Sequence, residues 1–389
     1  MAAREECAGR IARLQARLTE QGLDGALLVY PIDVYYYVGT RQIGTLWVPA
    51  TGEPLLLVRK SLIRAREEAA IDDVRPFPSS KEFAACIPVE AAKIGMMFDV
   101  TPMQQHAFYA KLLAGREFVD ISAINRELRS VKSVWELARM REAGAMLSSV
   151  FAKIPDFLQR GMREVDLAAE FECALRKAGN EGNVRMRAFN QDLFLGLAVA
   201  GAAAGQPGFF DGPVTGKGLT KSTPFGASAD LLPENLPIVM DYTNVYQNYT
   251  VDMTRIFVLG DLPSELKEAY EVAIAIQNRI AAELKPGAIC EELFFTALRM
   301  AEDAGLAANF MGAPGENAKF VGHGVGLELD EFPVLAQGFK VPLIAGQTIA
   351  IEPKFLFPGL GAVGIENTFA VTPDGGERLT TLDDGIVYL

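Results

Sequence analysis

Histidine is scarce in this chain: of 389 residues only His106 and His323 carry an imidazole. A polar reaction centre here must be built chiefly from carboxylates. Cysteine is also sparse, and Cys7, Cys86, Cys173 and Cys290 show no CxxC spacing, which excludes a disulfide framework or zinc knuckle. Buried free thiols in a reducing cytoplasm are the default expectation. No run of eighteen apolar residues occurs, and Met1-Ala2-Ala3-Arg4-Glu5-Glu6-Cys7 has no apolar stretch of signal-peptide type. No membrane span and a cytoplasmic location follow as expectations. Dense Lys/Arg clusters are missing too, and the net charge of −12 argues against nucleic acid or an anionic membrane as partner. What is plentiful is apolar material: 50% of residues are hydrophobic, enough for two domains with separate cores.

The apolar pattern divides the chain. An amphipathic helix spans about Glu5 to Gln21. Apolar strands follow at Asp24–Tyr30, Gly52–Val58 and Lys93–Asp99. Alternating helices and strands over the first 130 or so residues indicate a small α/β domain. Ser133 and Glu136 have capping-box spacing and open a helix expected to reach about Leu158. The boundary is placed before it, giving domains 1–132 and 133–389. Within the second domain, Gly161–Gly179 and Gly287–Gly305 each span a helix closed by Ala-Gly. Their shared offset of 126 carries Asp241 onto Asn367, as a two-fold pseudosymmetric sheet would.

Three apolar, strand-like runs each carry one acid: Asp241 in Ile238–Tyr242, Glu352 in Thr348–Glu352, and Glu366 in Ala362–Glu366. Acids in such runs are costly to desolvate unless a cation or hydrogen bonds compensate them. A hairpin turning at Tyr246-Gln247 would set Asp241 directly opposite Asp252, with Cβ atoms roughly 4.5–5.5 Å apart. Glu352 and Glu366 are likewise mirrored about Gly359, inside the turn-forming Pro358-Gly359-Leu360-Gly361. Two acid pairs and His323 make a cage for two divalent cations. Carboxylate and imidazole donors suit Mn, Co, Fe or Zn, which lower the pKa of water and polarise carbonyls.

Asp241-Tyr242-Thr243 followed by Tyr249–Arg255 resembles the paired-aspartate motif of the pita-bread metallopeptidases. That group includes methionine aminopeptidase, aminopeptidase P, prolidase and the non-peptidase creatinase. Gly322-His323-Gly324-Val325-Gly326 resembles its histidine motif, and Ile351-Glu352-Pro353 and Gly364–Thr368 its two glutamate motifs. The resemblance implies an α/β creatinase-type N-terminal domain and an α+β pita-bread domain, a pseudosymmetric curved antiparallel sheet with helices outside. It implies two metal ions, manganese foremost, on Asp241, Asp252, His323, Glu352 and Glu366. Asp252 and Glu366 would bridge them, and Glu352 would serve as general base. A homodimer is expected on the same analogy.

The chain also departs from that group. Seven residues after His323, where a second histidine is usual, stands Asp330, in Asp330-Glu331-Phe332-Pro333. The region before Asp241, including Gly208–Gly212, supplies no histidine, and Gly364 stands where many members have arginine. Asp330 is therefore the candidate proton shuttle, provided burial or neighbouring Glu331 raises its pKa towards neutrality. His106 is read as a solvated bystander. Arg185 and Arg187, alternating on a strand, together with Phe210, are the candidate substrate pocket, suited to a carboxylate. Three readings follow: an Xaa-Pro aminopeptidase or dipeptidase, a creatinase-like hydrolase or lyase for a small non-peptide metabolite, and, last, a non-catalytic metal-binding or interaction protein.

Overall fold

Cys7, Ile11, Leu14 and Leu18 fall on one face of the first helix, Ala2–Glu20, and all four are buried. The computed structural model describes residues 2–187, 193–208 and 212–389, and these divide into two compact units. The first holds the residues up to Arg129 and also Arg187. Its sheet is built from β1 (Gly25–Leu28), β2 (Gly44–Pro49), β3 (Leu55–Val58), β4 (Val74–Pro76), β5 (Lys93–Met96) and β6 (Glu117–Asp120). Their order is β4-β3-β2-β1-β5-β6, with β1, β5 and β6 parallel and β2 antiparallel to both neighbours. The expected α/β architecture is present, and the three apolar runs fall on β1, β3 and β5.

Asp33 lies fully buried in this unit, where it accepts hydrogen bonds from Asn125 Nδ2 (2.8 Å) and Arg129 Nη1 (2.9 Å). Arg187 joins them, its buried guanidinium 3.2 Å from Asp33 and 2.6 Å from Asp99. His106, on the helix Met103–Leu112, is half-buried edge-on to Phe98 and Phe118. Its role is packing, which corrects the solvated reading.

The second unit begins at Ser130, a little before the expected boundary, because Val131 bridges to Gln347 and the Lys132 N–H donates to the Gly346 carbonyl. The Ser133–Glu136 capping box forms: the Glu136 N–H donates to Ser133 Oγ, and the Ser133 N–H to Glu136 Oε2. The helix it opens, Val134–Phe151, stops seven residues short of Leu158, and a separate turn, Ile154–Phe157, follows. Pro155 accounts for the break, since it offers no N–H and its ring clashes with the carbonyl four residues earlier.

The strands of this unit are β7 (Gly196–Ala200), β8 (Pro237–Tyr246), β9 (Tyr249–Val258), β10 (Phe320–Gly324), β11 (Glu331–Ala336) and β12 (Thr348–Ile351). After them come β13 (Lys354–Phe357), β14 (Gly361–Gly364), β15 (Glu366–Thr372), β16 (Gly375–Arg378) and β17 (Val387–Tyr388). A nine-stranded sheet runs β11-β10-β12-β15-β9-β8-β7, with β16 on β15 and β17 on β9, while β13 and β14 form a separate hairpin. All the pairings are antiparallel except that of β17 with β9. The helix Ser264–Glu283 buries Leu266, Ala269, Tyr270, Ala273, Ile276 and Ile280, the three-and-four spacing of a core-facing stripe. The repeat helices are Glu164–Ala178 and Cys290–Asp303, followed by Gly179 and Gly305 with φ of 115° and 72°. Asp241 and Asn367 both lie on this sheet, on β8 and β15.

Two expectations about local structure need correction. The β8–β9 turn is Gln247-Asn248, with φ of 47° and 70°, so Tyr246 pairs with Tyr249. A two-residue left-handed turn matches strand twist and favours asparagine. Asp241 consequently faces Thr254, and Asp252 faces Thr243. The cysteines are all free, but only Cys7 and Cys290 are buried; Cys173 is exposed and Cys86 half-buried. Among the described residues no helix is long and apolar enough to cross a membrane.

Candidate metal centre

Cross-strand partners share a face of a sheet, so Asp241, Thr243, Asp252 and Thr254 all project to one side of the β8–β9 hairpin. The two aspartates are diagonal neighbours, a relation that spans roughly 7–8 Å and leaves room for a cation between them. The Thr368 hydroxyl accepts from the Asp252 N–H (2.8 Å), and Asp252 Oδ1 accepts from the Met253 N–H (2.9 Å). The second acid pair meets as its mirror requires. The β12–β15 and β13–β14 ladders keep one register about Gly359, and Glu352 and Glu366 face each other at the break between them. Thr254 donates to Glu366 Oε2 at 2.9 Å.

His323 enters from β10, and its motif glycines serve close packing. A Cβ on Gly322 would lie 2.5 Å from the Ala350 carbonyl oxygen, and one on Gly324 2.5 Å from those of Glu331 and Phe332. Around Nδ1 stand the carbonyls of Gly324 (3.2 Å) and Leu329 (3.1 Å) and Asp330 Oδ1 (3.2 Å). Carbonyls only accept, so the neutral ring carries its proton on Nδ1 and presents Nε2 as a ligand. Nε2 points inward, 3.5 Å from Glu352 Oε1 and 3.9 Å from Glu366 Oε1. Ligand atoms of Asp252, His323 and Glu366 lie within 4.8 Å of one another, all three residues buried. Among the described residues, nothing hydrogen-bonds to the buried Glu366 Oε1. An orphaned carboxylate oxygen facing a ring nitrogen and two further acids fits one divalent cation.

Beside Asp241 the arrangement differs. There the Lys354 ammonium, 2% exposed, lies 2.9 Å from Asp241 Oδ2, 2.8 Å from Glu352 Oε2 and 2.8 Å from Glu366 Oε2. Sequence reasoning passed over this residue, although a signal was present. The mirror about Gly359 that pairs the glutamates also pairs Lys354 with Gly364. A Cβ on Gly364 would sit 2.5 Å from Lys354 Cγ and 2.6 Å from its Cα. The bare glycine is what lets the lysine chain pass. Gly364→Ala is therefore expected to destabilise the protein by about 1–3 kcal/mol through overpacking, read by thermal unfolding against wild type. An unchanged melting temperature would mean that the lysine stem has another path.

The remaining candidates are dispersed. Asp330 is half-exposed and borders the outer, Nδ1 side of His323, where it can orient the ring. Arg185 and Arg187 are not on a strand, which corrects that expectation. The Arg187 guanidinium is committed to Asp33 and Asp99 in the first unit, and the Arg185 carbonyl accepts from the Leu329 N–H in the second. Phe210, Phe209 and residues 188–192 lie outside the described residues.

Burial pushes Asp252 well above the usual carboxylate range, and Glu366 and Asp241 push it further. Burial likewise raises Glu366, to about 8, against the pull of Lys354. At Lys354 burial works against the charge, but Asp241, Glu352 and Glu366 outweigh it and hold the ammonium protonated. Burial also opposes charge on His323, where Asp330, Glu352 and Asp252 prevail and raise its pKa. A group whose folded pKa is raised stabilises the fold below its unfolded pKa and loses that contribution as pH climbs through the folded value. Metal-free protein should therefore lose stability as pH rises towards about 8. A divalent cation takes the place of the proton, so the rise in melting temperature on adding metal should grow over the same interval. A metal-induced shift independent of pH would contradict proton–metal competition.

The sequence matches the description of the metallopeptidase family M24 over residues 138–373 and that of the Creatinase/Prolidase N-terminal domain over residues 10–131. The chain belongs to metallopeptidase family M24. It is 26% identical over 376 residues to an Xaa-Pro dipeptidase of Pyrococcus furiosus, a match covering 95% of this chain and 97% of that one. A probable dipeptidase PepE of Mycobacterium tuberculosis is also 26% identical, over 95% of this chain and 93% of the relative. In fold, an Xaa-Pro dipeptidase from Bacillus anthracis superposes with a TM-score of 0.83 at 22% identity, covering 98% of this chain and all of that one. The prolidase of Pyrococcus horikoshii superposes with a TM-score of 0.82 at 23% identity, covering 97% of this chain and all of that one. The M24 chain thus has a creatinase-type N-terminal domain and a pita-bread C-terminal domain, as its motifs imply.

Proposed function

We propose that this M24 chain is a metal-dependent peptidase that splits the Xaa-Pro bond of dipeptides or short peptides. The observation that carries the reading is the convergence of Asp252, His323 and Glu366 on one buried point beside Glu352. The Xaa-Pro dipeptidases among its relatives support the substrate class. Asp252, His323, Glu352 and Glu366 would hold a divalent cation there. Bound, it supplies Lewis acidity, lowering the pKa of water and polarising a carbonyl. Glu352, with one oxygen fixed by Lys354, takes the proton of the attacking water through the other and returns it to the departing proline nitrogen. Asp330 orients His323 through Nδ1. Burial of the acids keeps bulk water from competing for the same groups.

A second reading, a hydrolase or lyase for a small non-peptide metabolite, is favoured by the substrate side. The only histidine besides His323 is His106, which packs between aromatic rings of the first unit. The two readings separate by mass-spectrometric product detection, with manganese-loaded protein offered pooled Xaa-Pro and non-prolyl peptides and Asp252→Asn as control. Release of the N-terminal residue from Xaa-Pro peptides by wild type alone is the expected result. Metal-loaded protein that leaves every peptide intact would overturn the peptidase and favour the second reading. We also propose a homodimer, which light scattering in solution tests.

A further inference from the structure

We propose that this chain holds a single divalent cation and that the Lys354 ammonium is the permanent occupant of the second cation position beside Asp241. The inference rests on the metal-site reading above and departs from the two-cation cage that the ligand motifs imply. An ammonium has three N–H donors, and here three carboxylates stand at 2.8–2.9 Å to receive them, one oxygen each from Asp241, Glu352 and Glu366. Those oxygens are the ones a second cation beside Asp241 would need.

The other oxygens of the same glutamates face the opposite way. Glu352 Oε1 and Glu366 Oε1 look towards His323 Nε2, and Glu366 Oε1 has no hydrogen-bond partner among the described residues. Each glutamate is thus split, with one oxygen on a fixed organic cation and one left for a metal. The substitution involves two residues. Lys354 reaches the site only because its cross-strand partner is Gly364, where any Cβ would meet the lysine stem at 2.5 Å. Charge agrees: four carboxylates, one ammonium and one divalent cation leave a single formal negative charge, whereas a second dication would have to sit against the ammonium.

The test counts ions. Wild-type protein loaded with excess manganese and then dialysed should hold one manganese per chain by elemental mass spectrometry. Its electron paramagnetic resonance spectrum should be that of an isolated ion, without exchange coupling. Lys354→Gly, which removes the ammonium and its stem, should take up a second ion and show a coupled spectrum. Lys354→Met, which fills the same space without charge, should stay at one. Should the variants fail to fold, anomalous scattering from wild-type crystals decides the matter, with one peak expected beside His323 and none beside Asp241. Two ions per wild-type chain would overturn the inference and leave the metal-dependent reading standing. No bound ion would overturn both. A correctly folded Lys354→Gly protein that still binds one ion would show that the lysine is not what excludes the second.

Discussion

Arg255→Met is expected to lower the stability of the protein by about 3–5 kcal/mol, the cost of removing one partner from a buried charge network. Arg255 is 1% exposed and lies where β9 and β15 pair in register at two positions, Glu366–Thr254 and Asn367–Met253. Beyond that junction β9 pairs with β17 and β15 with β16, so the sheet parts behind two of the metal ligands. The guanidinium closes the gap. It donates to the carbonyls of Thr254 (2.7 Å), Glu366 (3.0 Å), Leu382 (2.9 Å) and Asp383 (2.8 Å) and to Asn367 Oδ1 (2.9 Å), with Asp384 at 3.1 Å. Burial lowers its pKa to about 10, which leaves it charged at neutral pH. Methionine keeps the bulk and abandons every acceptor. The melting temperature should fall by roughly 10 °C, given about 2–4 °C per kcal/mol for a unit of this size. Circular dichroism on heating measures it, and a fall of only a degree or two would place the junction's strength elsewhere. Arg255→Lys should be intermediate, since a lysine carries the charge without the fork.

The largest kinetic effect is expected at Glu352. Glu352→Gln keeps the side-chain volume and an oxygen for Lys354, but its amide takes no proton from water. If Glu352 is the general base, kcat should fall by about 10²–10⁴ at saturating manganese, with the ion still held by Asp252, His323 and Glu366. The two readouts together separate chemistry from ligation. Loss of metal along with activity would make Glu352 chiefly a ligand. Retained metal with kcat within a few-fold of wild type would move the base to another residue. The carboxylate is 5% exposed and its free oxygen faces the same point as His323 Nε2, a placement that serves ligation and proton transfer alike.

Much of this site was legible because desolvation cost marks it. Acids inside runs such as Ile238–Tyr242 and Thr348–Glu352 require compensation, and reading them as a cluster brought four strands together before any topology was known. The glutamate pairing was legible because a Gly-containing turn fixes the register about Gly359. The aspartate pairing was less so. Tyr246-Gln247 and Gln247-Asn248 are both acceptable turns, and moving the turn by one residue shifts the pairing by two, which converts direct opposition into a diagonal on the same face.

Lys354 was overlooked for a different reason: a lysine in a strand normally snorkels to solvent, and only its partner, Gly364, shows that it does not. Arg187 shows the reverse error. Its spacing from Arg185 suggested a shared face, yet its guanidinium is committed to Asp33 and Asp99, acids more than 80 positions away. Local periodicity carries no information about such long-range ion pairs. Asp330 stands at the sequence position of the missing histidine, but its carboxylate lies behind His323 at Nδ1.

The most direct test of the account is a titration of chelator-treated protein with manganese, following free proline released from an Xaa-Pro dipeptide at each loading. Metal-free protein should release none, release should rise linearly on addition, and the plateau should come at one equivalent per chain. No proline at any loading, with the ion bound, would contradict the peptidase, and a plateau at two equivalents would contradict the lysine-for-metal exchange at its centre.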